Sequence, residues 1–353
     1  MGSSGEHVST PVVLGLDFGG TKVAAAVVSL GGRRLGEATV ATEPALGARW
    51  NLDHGLEAAR RLARNVAPGR PLAAIGASTF GIPEPHGVAL APAIAGWGEL
   101  ALGRELSSAF DCETVRLATD VKAAATAEAR SGALVGHDPA IYLNLGTGLA
   151  AAIVCGGRVV SGANGAAGEI GYNLLRRTEV GRSGHPVLED LVSGIGLSAV
   201  ANRRAGARVT AADVFLGAAT DASLAALLDE FVEELGFHLV NLAVAVNPSR
   251  IAVGGGIVRS WERLEGPLRL ALDAGVPFPP ELVVGAFPFD AALVGAISLA
   301  LEAAELEEPG HSRRKAKEGV TMGDHSRTIR GHVRPESVNF ESTVARRPGR
   351  NRS

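Results

Sequence analysis

Short apolar runs separated by glycine-rich turns dominate the pattern of hydrophobic and polar positions. Between residues 11 and 42, three such runs are separated by the turns FGGT and SLGGR, which predicts a hairpin followed by a third strand. The helical pattern LDHGLEAARRLARNVAPGR comes next, and the run LAAIGAST predicts a further strand. Alternating strands and helices favour an α/β fold.

The same pattern returns later in the chain. The segment PAIYLNLGTGLAAAIVCGGRVVSGANG, from Pro139, again predicts strand, turn, strand, turn and strand. Placing Gly20 on Gly146 aligns GTKVAAAVV with GTGLAAAIV, and six of the nine positions are identical. A carboxylate, Asp17, accompanies the first turn only. We therefore expect two hairpin-led halves that face each other across a cleft.

Further elements complete both halves. The run AFDCETVRLATD predicts a strand that ends at Asp120, where the helix VKAAATAEARSGAL begins. Helical patterns cover about 187–206 and 222–246, and the strand in RIAVGGGIV breaks into three glycines. DAALVGAISLALEAAELEE predicts the last helix. Asp120 is thereby placed at the carboxyl end of a strand, where ligands collect in open α/β sheets.

The two Gly-Thr turns suit phosphate. Turns rich in glycine present backbone N–H groups to phosphate oxygens, and the threonine adds a hydroxyl donor. Two such turns can clamp one polyphosphate from both sides. A single carboxylate beside them suits hydrated Mg²⁺, which takes one or two carboxylates together with the phosphates. Ordinary tight hairpins are the alternative, since Gly-Thr turns are common, but two copies in equivalent places favour phosphate.

The composition is that of a globular protein. The chain has 353 residues, of which 46% are apolar and 20% are charged, and this length has room for two domains. The start MGSSGEHVSTP is polar, and no apolar run is long enough to span a membrane. We therefore expect a cytoplasmic protein without a membrane partner. Cys112 and Cys155 belong to no paired motif, and we expect a buried thiol at each.

Basic residues concentrate at the end of the sequence. Residues 310–353 contain eleven Lys or Arg against four Asp or Glu, within a net charge of −3 for the whole chain. The segment lacks apolar periodicity, which predicts a solvated, disordered tail. A nucleic-acid-binding arm is the alternative, but the segment lacks interleaved aromatic residues and an adjoining recognition fold. We therefore expect no nucleic-acid partner.

The motifs LDFGGTK, TDVKAAATAE, LNLGTG, GAAGEIG and AVGGGI follow one another along the chain. In this order they resemble the ROK family (repressors, open reading frames and sugar kinases) of the actin-like ATPase and hexokinase superfamily, over about 12–306. The resemblance implies two actin-like, ribonuclease H-like α/β domains that face each other across an ATP and sugar cleft. The implied domains are 11–118 with a returning helix in 288–306, and 119–287, flanked by disordered segments 1–10 and 307–353. A homodimer is implied by the resemblance alone.

The resemblance also implies roles for individual residues. Asp120 falls at the position of the catalytic base, which relieves the attacking hydroxyl of its proton in phosphoryl transfer. Glu169 and Glu189 would bind sugar hydroxyls, with Thr119 and Tyr172 also facing the substrate. ATP and Mg²⁺ are the implied cofactors, and Asp17 would hold the metal through water. The residues implied to bind the cofactors are Asp17, Gly19, Gly20, Thr21, Lys22, Gly146, Thr147, Gly148, Gly254, Gly255 and Gly256.

Each acid has a structural alternative. Asp120 could be only the N-cap of the helix that follows it, Asp17 a turn residue, and Glu189 a surface charge on a helix. The joint pattern of motifs favours the functional interpretation of all three.

The zinc motif of the family is missing. The family has a histidine after GEIG and three nearby cysteines, which together bind a structural zinc. This chain has Tyr172 at that position, and the segment that follows contains His185 but no cysteine. Because a zinc site needs about four imidazole or thiolate ligands, we predict that no zinc is bound.

Other departures concern the acceptor. The family motif END is Ala118-Thr119-Asp120 here, and Ala93 and Asn164 replace an asparagine and a histidine. With the ATP motifs and the base intact, the sequence predicts a kinase with an altered acceptor. We expect phosphorylation of a primary hydroxyl on a hexose or a hexose-like molecule such as a C7-cyclitol.

Two other functions remain as alternatives. One is glucokinase proper, and the other is a non-catalytic, sugar-sensing regulator. About eleven residues precede the first strand, too few for the helix-turn-helix of the repressor branch, so we expect no DNA binding by such a domain.

Overall fold

Strands and helices alternate along residues 10–205 and 208–307, the part of the chain that the computed structural model describes. The strands are β1 (Val12–Phe18), β2 (Lys22–Ser29), β3 (Arg34–Ala41), β4 (Leu72–Thr79), β5 (Ile82–Glu84), β6 (Gly87–Ala89), β7 (Val115–Thr119), β8 (Ala140–Leu145), β9 (Leu149–Cys155), β10 (Arg158–Val159), β11 (Arg250–Gly254) and β12 (Glu281–Val284). The helices are α1 (Gly47–Val66), α2 (Leu102–Phe110), α3 (Asp120–Ser131), α4 (Gly194–Ala205), α5 (Ala211–Gly217), α6 (Ala222–Val246), α7 (Trp261–Gly275) and α8 (Ala291–Glu307). The predicted α/β class is confirmed.

Two five-stranded sheets share one topology. The strand order is β3-β2-β1-β4-β7 in the first sheet and β10-β9-β8-β11-β12 in the second. Each sheet contains an antiparallel hairpin, and the two strands beyond it run parallel to its first strand. The turn after β1 and the turn after β8 therefore occupy the same topological position. The duplication predicted from the two Gly-Thr turns is a duplication of the whole sheet.

Burial on both faces explains why β1 and β8 lie inside their sheets. All residues of β1 are buried except Asp17, and all residues of β8 are buried except Asn144. The edge strand β3 instead alternates between exposed and half-buried positions, as expected for a strand with one solvated face. The two polar exceptions stand next to last in their strands, so both halves place a polar side chain at the same end of the sheet.

Helices cover both faces of each sheet. Helices α1 and α2 pack on one face of the first sheet through residues such as Leu52 and Leu106, and α8 covers the other face through Ile297. On the second sheet, α3 packs on one face through Ala124, while α6 and α7 bury Phe231 and their other apolar residues on the opposite face. The helices thus cover the faces of the two sheets and not the ends of their strands.

Helix α8 lies against backbone on two sides. A Cβ atom at Gly76 of β4 would overlap the carbonyl oxygen of Ala296, and one at Gly295 of α8 would overlap the carbonyl oxygen of Ala123 in α3. Glycine at both positions lets α8 approach the first sheet and α3 at once. Because α3 packs on the second sheet, α8 connects the two halves. The described residues belong to one compact unit, and the domain boundaries proposed within it stay a prediction.

Some sequence expectations differ from the structure. Residues 187–193, expected to be helical, contain only the 3₁₀ turn Leu188–Asp190, and α4 begins at Gly194. The reason is a contact between distant parts of the chain: the N–H of Gly194 donates to the carbonyl oxygen of Gly146 (2.8 Å) and so starts the helix against the second turn. Cys112 is buried as expected, but the prediction for Cys155 is wrong, since it ends β9 in an exposed position.

Two further expectations concern membranes and the chain ends. Among the described helices, none is by itself long and apolar enough to cross a membrane, whereas the bent pair α5 and α6 together satisfies the length and composition for one. The prediction of disorder in 1–10 and 307–353 falls almost wholly outside the described residues.

Replacing Gly76 should show how closely α8 packs. Gly76→Ala should lower the free energy of unfolding by about 1–3 kcal/mol, the usual cost of overpacking, because the new methyl group meets the α8 backbone. The control is Gly31→Ala in the turn after β2, where an added Cβ meets nothing within 4 Å. Urea denaturation should show a lower midpoint for the first variant only. Equal midpoints would contradict the close contact of α8 with β4.

Candidate active site

The ends of the central strands border a cavity of about 1250 Å³. Nearly all of the residues predicted from the sequence line this cavity. They are Asp17, Gly19, Gly20, Thr21, Lys22, Thr119, Asp120, Gly146, Thr147, Gly148, Glu169, Tyr172, Glu189, Gly255 and Gly256. Residues from both hairpin turns, from the start of α3 and from the segment before α4 therefore meet in one place.

Gly254 is the predicted residue that does not line the cavity. It is the last residue of β11, and a Cβ there would overlap the hydroxyl of Tyr142 in the neighbouring strand β8. Packing inside the sheet accounts for this glycine. Gly255, which follows, has a φ of 91°, a value that favours glycine and that turns the chain toward the cavity.

The first hairpin turn presents unpaired backbone amides. The N–H of Gly19 donates to the carbonyl oxygen of Lys22 (2.9 Å), which closes the turn. Thr42 holds it from outside, since its hydroxyl donates to Gly19 O and its N–H to Thr21 O, both at 2.9 Å. Within the described residues, the N–H groups of Gly20 and Thr21 donate to no protein acceptor. Both amides are available to an anion.

The second turn has the same character. The N–H of Gly146 donates to Gly148 O (3.0 Å), and the start of α4 supports the turn because Gly194 and Ile195 donate to Gly146 O and Thr147 O (2.8 and 3.2 Å). The N–H groups of Thr147 and Gly148 have no acceptor among the described residues. Two facing turns thus offer four free amides to one cavity, the pattern expected for a clamp on a polyphosphate.

Asp17 and Asn144 occupy matching positions in the two sheets. The hydroxyl of Ser78 donates to Asp17 Oδ1 (2.8 Å). Burial raises the pKa of Asp17, while this hydrogen bond and the charge of Lys22 lower it. Asn144 also lines the cavity, where its side chain lies against Gly255. Our sequence analysis did not identify Asn144, although the alignment of LDF with LNL contained the signal.

Asp120 is the first residue of α3 rather than its N-cap. The cap is Thr119, whose buried hydroxyl accepts from the N–H of Lys122 (3.2 Å). One oxygen of Asp120, Oδ1, accepts from the N–H of Val121 (2.8 Å), so the N-cap alternative for Asp120 is wrong. Burial raises the pKa of Asp120 to about 7, with further contributions from the charges of Asp17 and Glu169.

Two glutamates line the cavity together with Asp120. Glu169 precedes the 3₁₀ turn Ile170–Tyr172, and burial raises its pKa while the charge of Lys122 lowers it. Glu189 lies in a 3₁₀ turn rather than on a helix, and its Oε2 accepts from the N–H of Leu149 (2.7 Å). Glu189 is exposed, but it lines the cavity and binds the second hairpin, and its role toward a substrate stays a prediction.

Several cavity residues were missed by the sequence analysis. Besides Asn144 these include Ser193, Ile195, Ala199 and Arg203, which come from α4 and the segment before it. No short motif marked them, because they reach the cavity only when α4 docks on the second turn. Tyr172 and His185 also line the cavity.

Metal binding at this cavity is restricted by the ligands present. Among the described residues, no group of three or more His, Cys, Asp or Glu could hold a metal ion. The prediction that zinc is not bound stays a prediction. Mg²⁺ does not need such a group, since it keeps its waters and takes one or two carboxylates together with phosphate oxygens, which fits Asp17 beside the first turn.

Known proteins with this architecture place the chain in a family. A ROK family glucokinase from Streptomyces griseus, crystallised in complex with glucose and AMPPNP, is 28% identical and matches with a TM-score of 0.68 over 82% of this chain and 99% of that one. The fold is accordingly the two-domain, actin-like α/β fold. The ROK family profile matches residues 13–303, and the chain belongs to the ROK family.

Curated relatives include sugar kinases with different acceptors. The bifunctional enzyme NanE/NanK of Brucella melitensis is 33% identical over 83% of this chain and 54% of the relative, so the chain spans about half the length of that protein. Kanosamine kinase of Amycolatopsis mediterranei is 31% identical over 70% of this chain and 82% of the relative. The similarity is therefore shared among relatives with different names, a glucokinase and a kanosamine kinase among them.

The raised pKa of Asp120 predicts a pH-dependent gain in stability for Asp120→Asn. Protonation of Asp120 stabilises the folded state fully below the unfolded pKa of about 3.9, and this contribution is lost as pH rises to the folded pKa of about 7. At pH 8 the variant, which lacks the charge, should therefore unfold a few degrees above wild type, and near pH 4 the two should coincide. Thermal unfolding at both pH values tests this. Asp229→Asn, at an exposed position on α6, is the control. A difference in Tm between Asp120→Asn and wild type that does not change with pH would contradict the prediction.

Proposed function

We propose that this protein is an ATP-dependent kinase that phosphorylates a primary hydroxyl of a hexose or hexose-like acceptor. The observation that carries the proposal is the joint placement of four free turn amides and Asp120 in one cavity. The amides suit the phosphates of a nucleotide, and a carboxylate at the end of β7 suits the hydroxyl that attacks them. The sugar-kinase relatives, one of them crystallised with AMPPNP, support the same donor.

On the donor side, the two hairpin turns would bind the polyphosphate from both sheets. The amides of Gly20 and Thr21 would donate to it from one side, and those of Thr147 and Gly148 from the other. Asp17, oriented by Ser78, would hold the metal through water. Bound Mg²⁺ would neutralise charge on the transferring phosphoryl group. Gly255 and Gly256 leave room beside the second turn, where we place the adenosine.

On the acceptor side, Asp120 would act as the base. With a pKa of about 7, its carboxylate is well matched to accepting a proton from a hydroxyl near neutral pH. Its Oδ1 is held by the Val121 amide, which leaves Oδ2 for the substrate. Glu169 and Glu189 would accept hydrogen bonds from other hydroxyls of the ring and so orient the primary hydroxyl toward the phosphate.

The identity of the acceptor forms the finer part of the proposal. Thr119 has its hydroxyl engaged as the N-cap, Ala93 brings a methyl group to the cavity, and Tyr172 is 55% exposed beside it. Compared with the family motifs, these residues offer fewer side chains that can hydrogen-bond to acceptor hydroxyls, and they add an aromatic ring. We propose that this combination suits a C7-cyclitol with an exocyclic primary hydroxyl. Glucose, N-acetylmannosamine and kanosamine are the competing acceptors. The homodimer implied by the family stays a prediction.

A substrate panel tests the proposed reaction. ADP release from Mg-ATP should be stimulated by one of glucose, N-acetylmannosamine, kanosamine or a C7-cyclitol. Asp120→Asn should reduce kcat at least 100-fold, because a positioned base contributes about 10²–10⁴. The control Asp229→Asn should retain wild-type turnover. Sugar binding without turnover by any acceptor would favour the sugar-sensing regulator, and glucose turned over far better than cyclitols would favour glucokinase proper.

Glu189→Gln should affect the acceptor more than ATP. Glutamine keeps an oxygen for the Leu149 amide, so the second turn should stay in place, but it loses the charge that strengthens hydrogen bonds from acceptor hydroxyls. The KM for the acceptor should rise about tenfold while the KM for ATP stays within about twofold. Steady-state kinetics with each substrate varied in turn measures both. A parallel rise in the two KM values would instead indicate damage to the turn.

A further inference from the structure

Lys122 is a buried cation without a hydrogen bond. It is the third residue of α3 and is only 6% exposed. Among the described residues, its ammonium nitrogen Nζ has no hydrogen-bond partner. An ammonium group carries three donors, and burying it without hydrogen bonds is unfavourable. A residue of this kind in the helix that also carries Asp120 calls for an explanation.

The nearest opposite charge to Lys122 belongs to the acceptor side of the cavity. Its Nζ lies 3.6 Å from Glu169 Oε1, longer than a hydrogen bond, and both side chains are largely buried, at 8% and 23% exposed. Glu128, a fully buried carboxylate on α3, already accepts hydrogen bonds from the amides of Ala133, Ala286 and Phe287. Lys122 itself does not line the cavity. The cavity residue with which its charge pairs is Glu169.

The charges around Glu169 explain what this lysine can do. Asp120 on α3 and Glu189 in the turn before α4 are both negative neighbours of Glu169, and Asp17 on β1 faces Asp120. Lys22, which lines the cavity, acts on Asp17. Among the described residues, Lys122 is the cation that pairs with Glu169, and its charge opposes that of Glu189, which favours protonation of Glu169.

We propose that Lys122 is a positioning residue that holds the Glu169 carboxylate ionised and fixed for the acceptor hydroxyls. This inference rests on the proposed kinase function and adds to it a residue that does not touch the acceptor. A protonated Glu169 would present a donor at one oxygen and an uncharged acceptor at the other, instead of two charged accepting oxygens. A Glu169 side chain without a fixed position would have to be ordered when the acceptor binds. The 3.6 Å separation leaves the lone pairs of Glu169 available, whereas a tight ion pair would occupy one of them.

A purely structural lysine predicts the opposite of this proposal. If Lys122 only fills space, methionine of similar length should pack as well and remove an uncompensated charge, so Lys122→Met should be at least as stable as wild type with unchanged kinetics. If Lys122 positions Glu169, the same variant should lose acceptor binding specifically. Stability and acceptor KM together therefore distinguish the two roles.

The test is a double-mutant cycle on the acceptor KM. With the panel acceptor that wild type turns over fastest, Lys122→Met should raise the acceptor KM at least tenfold and leave the ATP KM within twofold. In a Glu169→Gln background, the same change should alter the acceptor KM less than twofold. Arg130→Met, which removes a more exposed cation of α3 paired with Glu302, is the matched control and should leave both KM values unchanged.

Other outcomes separate this inference from the proposed function. Suppose that wild type is active and that folded Lys122→Met has an unchanged acceptor KM, or that Lys122→Met has an equal effect in the Glu169→Gln background. Either result overturns the inference and leaves the proposed kinase function intact. If Lys122→Met does not fold, Lys122→Gln enters the same cycle with the same criteria. If wild type turns over no acceptor, the rise in Tm produced by glucose decides: its loss in Lys122→Met and not in Arg130→Met supports the inference. Retention of that rise, or no response of wild type to any acceptor in the panel, overturns it.

Discussion

Carboxylates crowd one cavity, and the structure of the site depends on how the charges of three of them, Asp17, Asp120 and Glu169, are balanced. Asp17, Asp120 and Glu169 are each shifted toward protonation, first by burial and, for Asp120, then by the charges of the other two. Such crowding costs stability in an empty site. Lys22 offsets the charge of Asp17 and Lys122 that of Glu169. No cation among the described residues lowers the pKa of Asp120 in this way, and burial, with the charges of Asp17 and Glu169, raises it to about 7.

Backbone geometry keeps these groups together. The identical order of the two sheets brings two hairpin turns to one cavity, and α8 holds the halves through glycines at which no side chain would fit. The amides of α4 then brace the second turn from behind. Each of these contacts involves main-chain atoms, and the turns that they hold keep four N–H groups without an acceptor among the described residues.

Much of this arrangement could be predicted from the sequence. The Gly-Thr turns, the strand leading to Asp120 and the final helix are local patterns, and the repeated GT…AAA…V spacing predicted the duplication that the sheets show. The helix expected from 187 could not be placed correctly, because α4 starts where Gly194 meets Gly146, a contact between distant parts of the chain. The same holds for Arg203, which reaches the cavity because α4 docks on the second turn. Gly254 was predicted to bind the cofactor because it stands in a glycine-rich motif, but it packs on Tyr142.

The contrast between Asp17 and Asn144 shows how a duplicated fold becomes asymmetric. Both residues stand next to last in the first strand of their hairpins and both line the cavity. A second carboxylate at Asn144 would add a negative charge beside the turn that we expect to bind phosphate, whereas an amide adds none and can donate a hydrogen bond. The first half would thus contribute the carboxylate of Asp17 for a metal, and the second half would contribute uncharged hydrogen-bond donors. A polyphosphate clamped between two such halves would be oriented by that difference, with its metal-bound side toward Asp17.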